Sequence, residues 1–300
     1  MGAERARRTG PAPWIRSPAR VRALVRAWKR GGDKVAFVPT MGALHAGHLS
    51  LLRRAGRSAD RVVASVFVNP LQFGPREDYK AYPRSRARDR ALLAAGAADV
   101  VFAPEAAAFY PEGHVTRVSV GGVGETLEGE ARPGHFAGVA TVVTKLLNVV
   151  EPDVLWLGQK DAQQVAVLAR MIEDLDLPVA VRVAPTVRER DGLAMSSRNA
   201  RLAPAERAQA PALFAALQAG ARVLVAAGTA WPRRIERAER AMARGLGSAP
   251  LARVDYARVV DPATFRRPGP GAARALLVVA ARFPSARLID NLPVRVKGAR

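Results

Sequence analysis

Short apolar, β-branched runs that recur between amphipathic helical stretches constrain this chain most. Residues 35–38, 61–68, 100–102, 154–157 and 179–183 read as strands, and residues 45–55, 85–95, 138–150 and 162–175 as helices between them. Strands covered on both faces become continuous apolar runs, and parallel neighbours need long crossovers. The pattern therefore predicts an α/β fold with a doubly wound parallel sheet. Ser17 as N-cap and Pro18 at the first helical position open an earlier helix over residues 17–30. The Arg/Pro-rich residues 1–18 read as a loosely held arm. Past residue 188 the rhythm changes. Helical stretches at 204–226 and 232–244 precede strand-like runs at 254–260, 275–281 and 287–289, the order expected of a small α+β domain. The expected division is 1–187 and 188–300, with a hinge over 184–199.

Within that alternation, residues 38–52 (VPTMGALHAGHLSLL) carry the strongest chemical signal. A strand ends, a Pro and a Gly turn the chain, and a helix opens with His45 and His48 three residues apart. At that spacing both imidazoles share one face near the helix N-terminus, where free N–H groups and the helix dipole favour an anion. Gly47 would let a ligand approach the backbone. Two imidazoles aimed at an anion suit a phosphate that gains charge in a transition state. The plain alternative is a pair of packed or solvated helix histidines. The combination of strand, turn, glycine and spacing favours a nucleotide site.

Three further segments follow strand ends. Gly158-Gln159-Lys160-Asp161 lies where ligands bind in open α/β sheets. Gly158 permits close approach, Lys160 supplies a point charge, and Asp161 either accepts from a ribose hydroxyl or caps the helix beginning at Ala162. Met195-Ser196-Ser197-Arg198, after Gly192, places two hydroxyls and a guanidinium on a loop able to clamp a triphosphate. Taken alone, the segment reads better as an ordinary polar loop in which Ser197 caps a short turn. Asn69 and Gln72 after the 61–68 strand, with Gln164, offer uncharged groups suited to a hydroxylated substrate or to bonding loop backbone. Residues 122–124 lack the third glycine of a dinucleotide fingerprint, and no Walker-type Gly-Lys-Ser/Thr occurs. His114 reads as surface loop.

Composition narrows the classes. With 300 residues and 49% hydrophobic content the chain can bury a full core. It has no cysteine, so disulfides, thiolate nucleophiles and thiolate metal sites are excluded. The four histidines form no zinc pattern, and no protein-held metal is expected. No run of some 18 apolar residues predicts a membrane span, and residues 1–8 lack a secretory apolar core, so a cytoplasmic enzyme is expected. The formal charge of +21 comes from 47 basic residues, of which only six are Lys. The Arg residues are spread along the chain and aromatics are only 6%, which argues for a composition bias and against a specific nucleic-acid site. Nonspecific attraction to polyanions at low salt is expected.

Taken together, these motifs resemble the pantoate–β-alanine ligase family. Residues 39–48 resemble its Pro-Thr-Met-Gly-Ala-Leu-His-x-Gly-His element, and residues 67–73 its Phe-Val-Asn-Pro-x-Gln-Phe run. Residues 132–147 are similar to its Arg-Pro-x-His-Phe-x-Gly-Val segment, and 158–164, 185–187, 191–199 and Asp290-Asn291 also match. The likeness runs from about residue 17 to the end and extends to the wider nucleotidylyltransferase superfamily. It implies a Rossmann-type domain, a C-terminal lid and a homodimer. It also implies ATP as substrate with Mg2+ carried on it, and two half-reactions: pantoate is adenylated with release of pyrophosphate, then β-alanine displaces AMP. Carried over by that resemblance, Met41, Gly42, Ala43, Leu44, His45, Ala46, Gly47 and His48 line ATP, with His48 acting on the phosphate. Gly158, Gln159, Lys160 and Asp161 hold ribose and phosphates, and Val187 meets adenine through its backbone. Met195, Ser196, Ser197 and Arg198 grip the triphosphate. Gln72, Gln164 and Asn69 serve pantoate, with Gln72 also facing β-alanine. The expected catalytic set is His45, His48, Lys160 and Arg198.

This chain departs from the family twice. Gln159 stands where many members carry Glu. Where some members have an acidic pair after the residue 82–84 element, this chain reads Arg86-Ala87-Arg88-Asp89-Arg90, leaving a lone Asp89 as a poor Mg2+ site. The competing classes are another adenylyltransferase, such as one acting on a mononucleotide, and a nucleic-acid-binding protein. Gln72, Gln164 and the long C-terminal segment speak against the first, and the scattered Arg residues against the second.

Overall fold

A computed structural model describes residues 12–74, 79, 82, 84–94, 98–226 and 230–296. The sheet starts earlier than the sequence suggests. Within the expected arm, β1 (Trp14–Ile15) pairs in parallel with Val101 and Phe102. Then follow α1 (Pro18–Arg30), β2 (Val35–Thr40), α2 (Ala46–Ser58), β3 (Arg61–Val66), α3 (Arg86–Ala94), β4 (Val100–Phe102), α4 (Ala106–Phe109), α5 (Glu128–Ala131), α6 (His135–Val150), β5 (Val154–Gly158), α7 (Ala162–Asp174) and β6 (Ala180–Ala184). The remaining elements are α8 (Pro204–Gln209), α9 (Ala212–Val225), α10 (Trp231–Leu246), β7 (Arg253–Val260), β8 (Arg274–Arg282) and β9 (Arg287–Arg295).

The described residues fall into two compact units. The first holds those up to Gly124 with Ala131–Gly158 and Val167–Ala184; the second holds Glu125–Glu130, Gln159–Ala166 and those from Pro185 on. In the first, six parallel strands run in the order β1-β4-β3-β2-β5-β6 with helices on both faces. The doubly wound expectation is met. Val35, Ala36, Phe37 and Val38 of β2 are all fully buried, which is why that strand reads as an unbroken apolar run. Strand order reverses between β2 and β5, and the crevice beyond such a switch point is where open α/β sheets bind ligands. Ser17 caps α1 by accepting from the Arg20 N–H, with Pro18 next, as the sequence predicts.

In the second unit α9 and α10 cover the antiparallel sheet β7-β8-β9. Leu213, Leu217, Trp231, Ile235, Met242, Leu277 and Val279 form its core. Two expectations about this unit are corrected. The stretch 204–226 is two helices, because Pro211 has no N–H to continue the ladder. Pro204–Val225 is apolar enough to be weighed as a membrane span, but its α9 half packs Leu213, Leu217 and Leu224 into this core. β9 runs to Arg295 rather than stopping at residue 289. Pro293 does not interrupt it, because β9 is an edge strand, where proline is tolerated. α6 likewise starts at His135, three residues before the expected Gly138, behind Gly134 in the left-handed region at φ 79°.

Candidate active site

The turn after β2 is held from both ends. Thr40 Oγ1 donates to the Ser65 carbonyl at 2.6 Å and accepts from the Gly42 N–H at 3.2 Å. Gly42 and Ala43 both have positive φ, 81° and 50°, and Ala43 carries a steric cost that Gly42 does not. Asp89, 2% exposed on α3, offsets it by accepting from the Ala43 N–H at 3.1 Å and the Leu44 N–H at 2.8 Å. A Cβ at Gly42 would lie 2.8 Å from Asp89 Oδ2, so glycine lets the carboxylate in. Asp89 is thus a backbone clamp. Replacing it with Ala strips the acceptor from two inward N–H groups, at roughly 1–3 kcal/mol for each one left unsatisfied. Urea unfolding should register that loss while the Mg2+ concentration dependence of turnover stays unchanged. A several-fold rise in Mg2+ requirement would instead make Asp89 a metal ligand.

Beyond this turn His45 is the N-cap of α2, with extended backbone, and His48 is its third helical residue. His45 Nδ1 accepts from the Gly47 N–H at 3.2 Å, and His48 Nδ1 accepts from the His45 N–H at 3.3 Å. The ring centroids are 4.2 Å apart. A backbone N–H only donates, so each Nδ1 must present its lone pair and each neutral ring carries its proton on Nε2. The capping chemistry usually done by Ser and Glu is here done by two imidazoles, which fixes them as a pair of Nε2–H donors. Gly47 also has a structural task that its sequence context did not reveal. A Cβ there would lie 2.8 Å from His45 Cε1, so the glycine makes room for the imidazole.

Asn69 and Gln72 follow β3 in a short helical turn, Pro70–Gln72, that packs under α6. Asn69 is 1% exposed; its Oδ1 accepts from the Leu71 N–H, and its Nδ2 donates to the Gly138 carbonyl and to Gln72 Oε1. Asn69 thus bonds loop backbone, one of the two roles its sequence context offers. Gln72 Nε2 lies 3.0 Å from Met41 Sδ. His135 Nε2 takes a hydrogen from Arg132 at 3.0 Å, so its Nδ1–H donates to the Gln72 carbonyl at 2.9 Å. His114 lies in a loop and meets the Tyr110 ring edge-on.

The second unit gathers the expected cations. Lys160, Ser196, Arg198 and Arg287 line one small cavity with Asn199 and Asp290. Asn291 Nδ2 donates to the Gln159 and Lys160 carbonyls, while Gln159 Nε2 donates to Asn291 Oδ1. That reciprocal amide pair sets the Lys160 backbone and occupies the Gln159 side chain. Asp290, 3% exposed, is held by both terminal nitrogens of Arg188 at 2.6 and 3.0 Å. Burial opposes the charge of Arg287, but its bonds to Glu128 and Asp255 outweigh that and hold the guanidinium above its usual pKa. Lys160 also meets Asp161 at 3.4 Å. Ser196, rather than Ser197, caps the turn Ser197–Arg201 by accepting from the Arg198 N–H, and Met195 N–H donates to the Val187 carbonyl. Gln164 is half-buried on α7 and makes no side-chain hydrogen bond among the described residues; Gln163 beside it bonds Thr126 and Glu128 instead. Sequence reasoning assigned no role to Tyr110 or Arg287, and gave Gly138, Asp290 and Asn291 only as matches to the family.

Residues 13–293 match the family described as pantoate-beta-alanine ligase. The chain belongs to the pantoate–β-alanine ligase family. The ligase is 52% identical over 260 residues to a pantothenate synthetase of Gluconobacter oxydans, covering 87% of this chain and 93% of the relative. It is 50% identical over 283 residues to one from Caulobacter vibrioides, covering 93% and 98%. The crystal structure of pantothenate synthetase from Thermus thermophilus superimposes with a TM-score of 0.87 at 48% identity, covering 93% of this chain and 98% of that one. A Francisella tularensis pantoate-beta-alanine ligase, solved with beta-gamma ATP and beta-alanine, gives 0.74 at 31% identity, covering 96% and 100%.

Proposed function

We propose that the ligase joins pantoate to β-alanine through a pantoyl adenylate. A pantoate carboxylate oxygen attacks the α-phosphorus of ATP, the bond to the β-phosphate breaks, and pyrophosphate leaves. The β-alanine amine then attacks the acyl carbon and AMP departs with the bridging oxygen. The observation that carries this reading is the pair of Nε2–H donors fixed on His45 and His48 by backbone N–H groups. Donors of that kind stabilise charge that grows on phosphate oxygens. Lys160 and Arg198 supply positive potential against the repulsion of two anions, with Ser196 and Ser197 as further donors. Met41 to His48, Gly158, Gln159, Asp161, Val187 and Met195 complete the ATP contacts, and Gln72, Gln164 and Asn69 serve pantoate. Residues 1–187 carry the ATP and pantoate chemistry, and 188–300 act as a lid that keeps water from the mixed anhydride. The enzyme works as a cytoplasmic homodimer, in keeping with its family resemblance.

Mg2+ enters with ATP as part of the substrate. Both Asp89 oxygens are committed to backbone N–H groups and do not fit a cation. The deciding experiment is isotope exchange between ATP and pyrophosphate with pantoate present and β-alanine absent. Exchange under those conditions is expected. Strict dependence on β-alanine would sink the two-step scheme, and exchange driven by a mononucleotide instead of pantoate would make this an adenylyltransferase of another kind.

A further inference from the structure

We propose that Tyr110 is a positioning residue that, through Asn69, reinforces the orientation in which the Gln72 amide meets substrate. The inference rests on the reading that Gln72 contacts pantoate. Its starting point is a chain of hydrogen bonds whose direction has no freedom. The Leu71 N–H donates only, and it points at Asn69 Oδ1 at 3.2 Å. The Gly138 carbonyl accepts only, and it lies 3.0 Å from Asn69 Nδ2. These two backbone groups fix the Asn69 amide, since the reversed amide would set donor against donor and acceptor against acceptor. Tyr110 Oη, 2.9 Å from Asn69 Oδ1, must then donate. Asn69 Nδ2 has one hydrogen left, and it goes to Gln72 Oε1 at 3.0 Å. With Oε1 taken, Gln72 turns its NH2 outward, where it meets Met41 Sδ at 3.0 Å.

A thioether is a weak acceptor, so an oxygen can take that N–H from Met41 at little cost. Gln72 therefore selects an acceptor, such as a carboxylate or alkoxide oxygen, over a hydroxyl presenting its hydrogen. Tyr110 is well held for this task. Phe109 and His114 meet its ring edge-to-face at 5.3 and 4.9 Å, and Lys145 Nζ lies 5.0 Å from its centroid. Burial pushes its phenol above the ordinary tyrosine pKa, so it stays a donor throughout the working range. Removing the hydroxyl leaves the buried Asn69 Oδ1 with its longer bond to Leu71 alone. Neutral hydrogen bonds in such a chain strengthen one another.

The test is pantoate-dependent ATP–pyrophosphate exchange by Tyr110→Phe, Gln72→Ala, Gln72→Glu and the Tyr110→Phe/Gln72→Ala pair. Tyr110→Phe keeps the ring contacts. It should raise the pantoate KM roughly 3–10-fold, the range for one neutral hydrogen bond, with ATP KM unchanged and Tm lowered by at most about 2–4 °C. The double variant should be no worse than Gln72→Ala alone, because the hydroxyl acts through Gln72. Gln72→Glu should be poorer than Gln72→Ala, since its outward atom becomes an anionic acceptor facing a carboxylate. A silent Tyr110→Phe beside a damaged Gln72→Ala, or a penalty that multiplies in full onto Gln72→Ala, would overturn the relay alone. An unchanged pantoate KM in Gln72→Ala would remove the assignment of Gln72 to pantoate, and the relay with it.

Discussion

Replacing His48 or Lys160 by Ala is expected to slow adenylate formation by roughly 10²–10³, the scale for losing one donor aimed at developing charge. For His48 the geometry separates the chemical loss from a structural one. Its Nδ1 caps the His45 N–H, and its Nε2–H is the donor assigned to phosphate. Asn at position 48 can keep an acceptor near the cap but has no atom where Nε2 stood, whereas Gln reaches further with an amide N–H. Exchange rates should therefore rank His48→Gln above His48→Asn, with His48→Asn close to His48→Ala. If His48→Asn instead restored turnover, capping rather than proton donation would be the role of this residue. For Lys160 the backbone is set independently by Asn291, so Lys160→Ala should leave the melting temperature within a degree or two of the wild type. Near-normal turnover in that variant would remove Lys160 from the chemistry.

The second large effect is expected at a residue with no side chain. A Cβ built on Gly138 would stand 2.2 Å from the Leu71 carbonyl oxygen, 2.5 Å from its carbon and 2.7 Å from Gln72 Cα. All three are backbone atoms, so no rotamer change relieves the overlap. In Gly138→Ala, α6 and the 70–72 turn must separate, which moves Gln72 and stretches the Asn69 bond to the Gly138 carbonyl. Overpacking of this kind costs about 1–3 kcal/mol or more. A displacement near 1 Å at a substrate contact can lower the rate by about 10². Pantoate should be affected far more than ATP, and urea unfolding should report the stability loss. Gly138→Ala with normal pantoate KM and normal stability would mean the close approach is not needed.

The residues that carry chemistry and those that place it left different traces in the chain. Ser17 and Pro18 announced α1, and the unbroken apolar run at residues 35–38 announced a central strand, because each signal sits within a few residues of its cause. The same holds for His45 and His48, whose spacing puts them in one capping turn. Asp89 is different. As a sequence feature it was a lone carboxylate among arginines, and in the fold it reaches 45 residues back to clamp the turn before His45. Asn69 was an amide with two equal readings until Leu71, Gly138 and Tyr110 were seen around it. β1 was lost in a basic arm because two residues carry no periodicity, and only pairing with β4 makes them a strand.

By itself, then, the amino-acid sequence determined the α/β class, the strand-turn-helix that carries the paired histidines, the two separate segments that carry Lys160 and Arg198, and the family. Those properties follow from hydrophobic period, turn chemistry and motif spacing, all of which are local along the chain. Only the tertiary structure decided the direction of each hydrogen bond, the role of Gly47 as space for His45, the clamp at Asp89 and the contact that forbids a Cβ at Gly138. The reason is physical. Hydrogen-bond direction and steric overlap depend on atoms brought together from distant positions, and a contact between residues 69 and 138 leaves no pattern in either neighbourhood until the chain has folded.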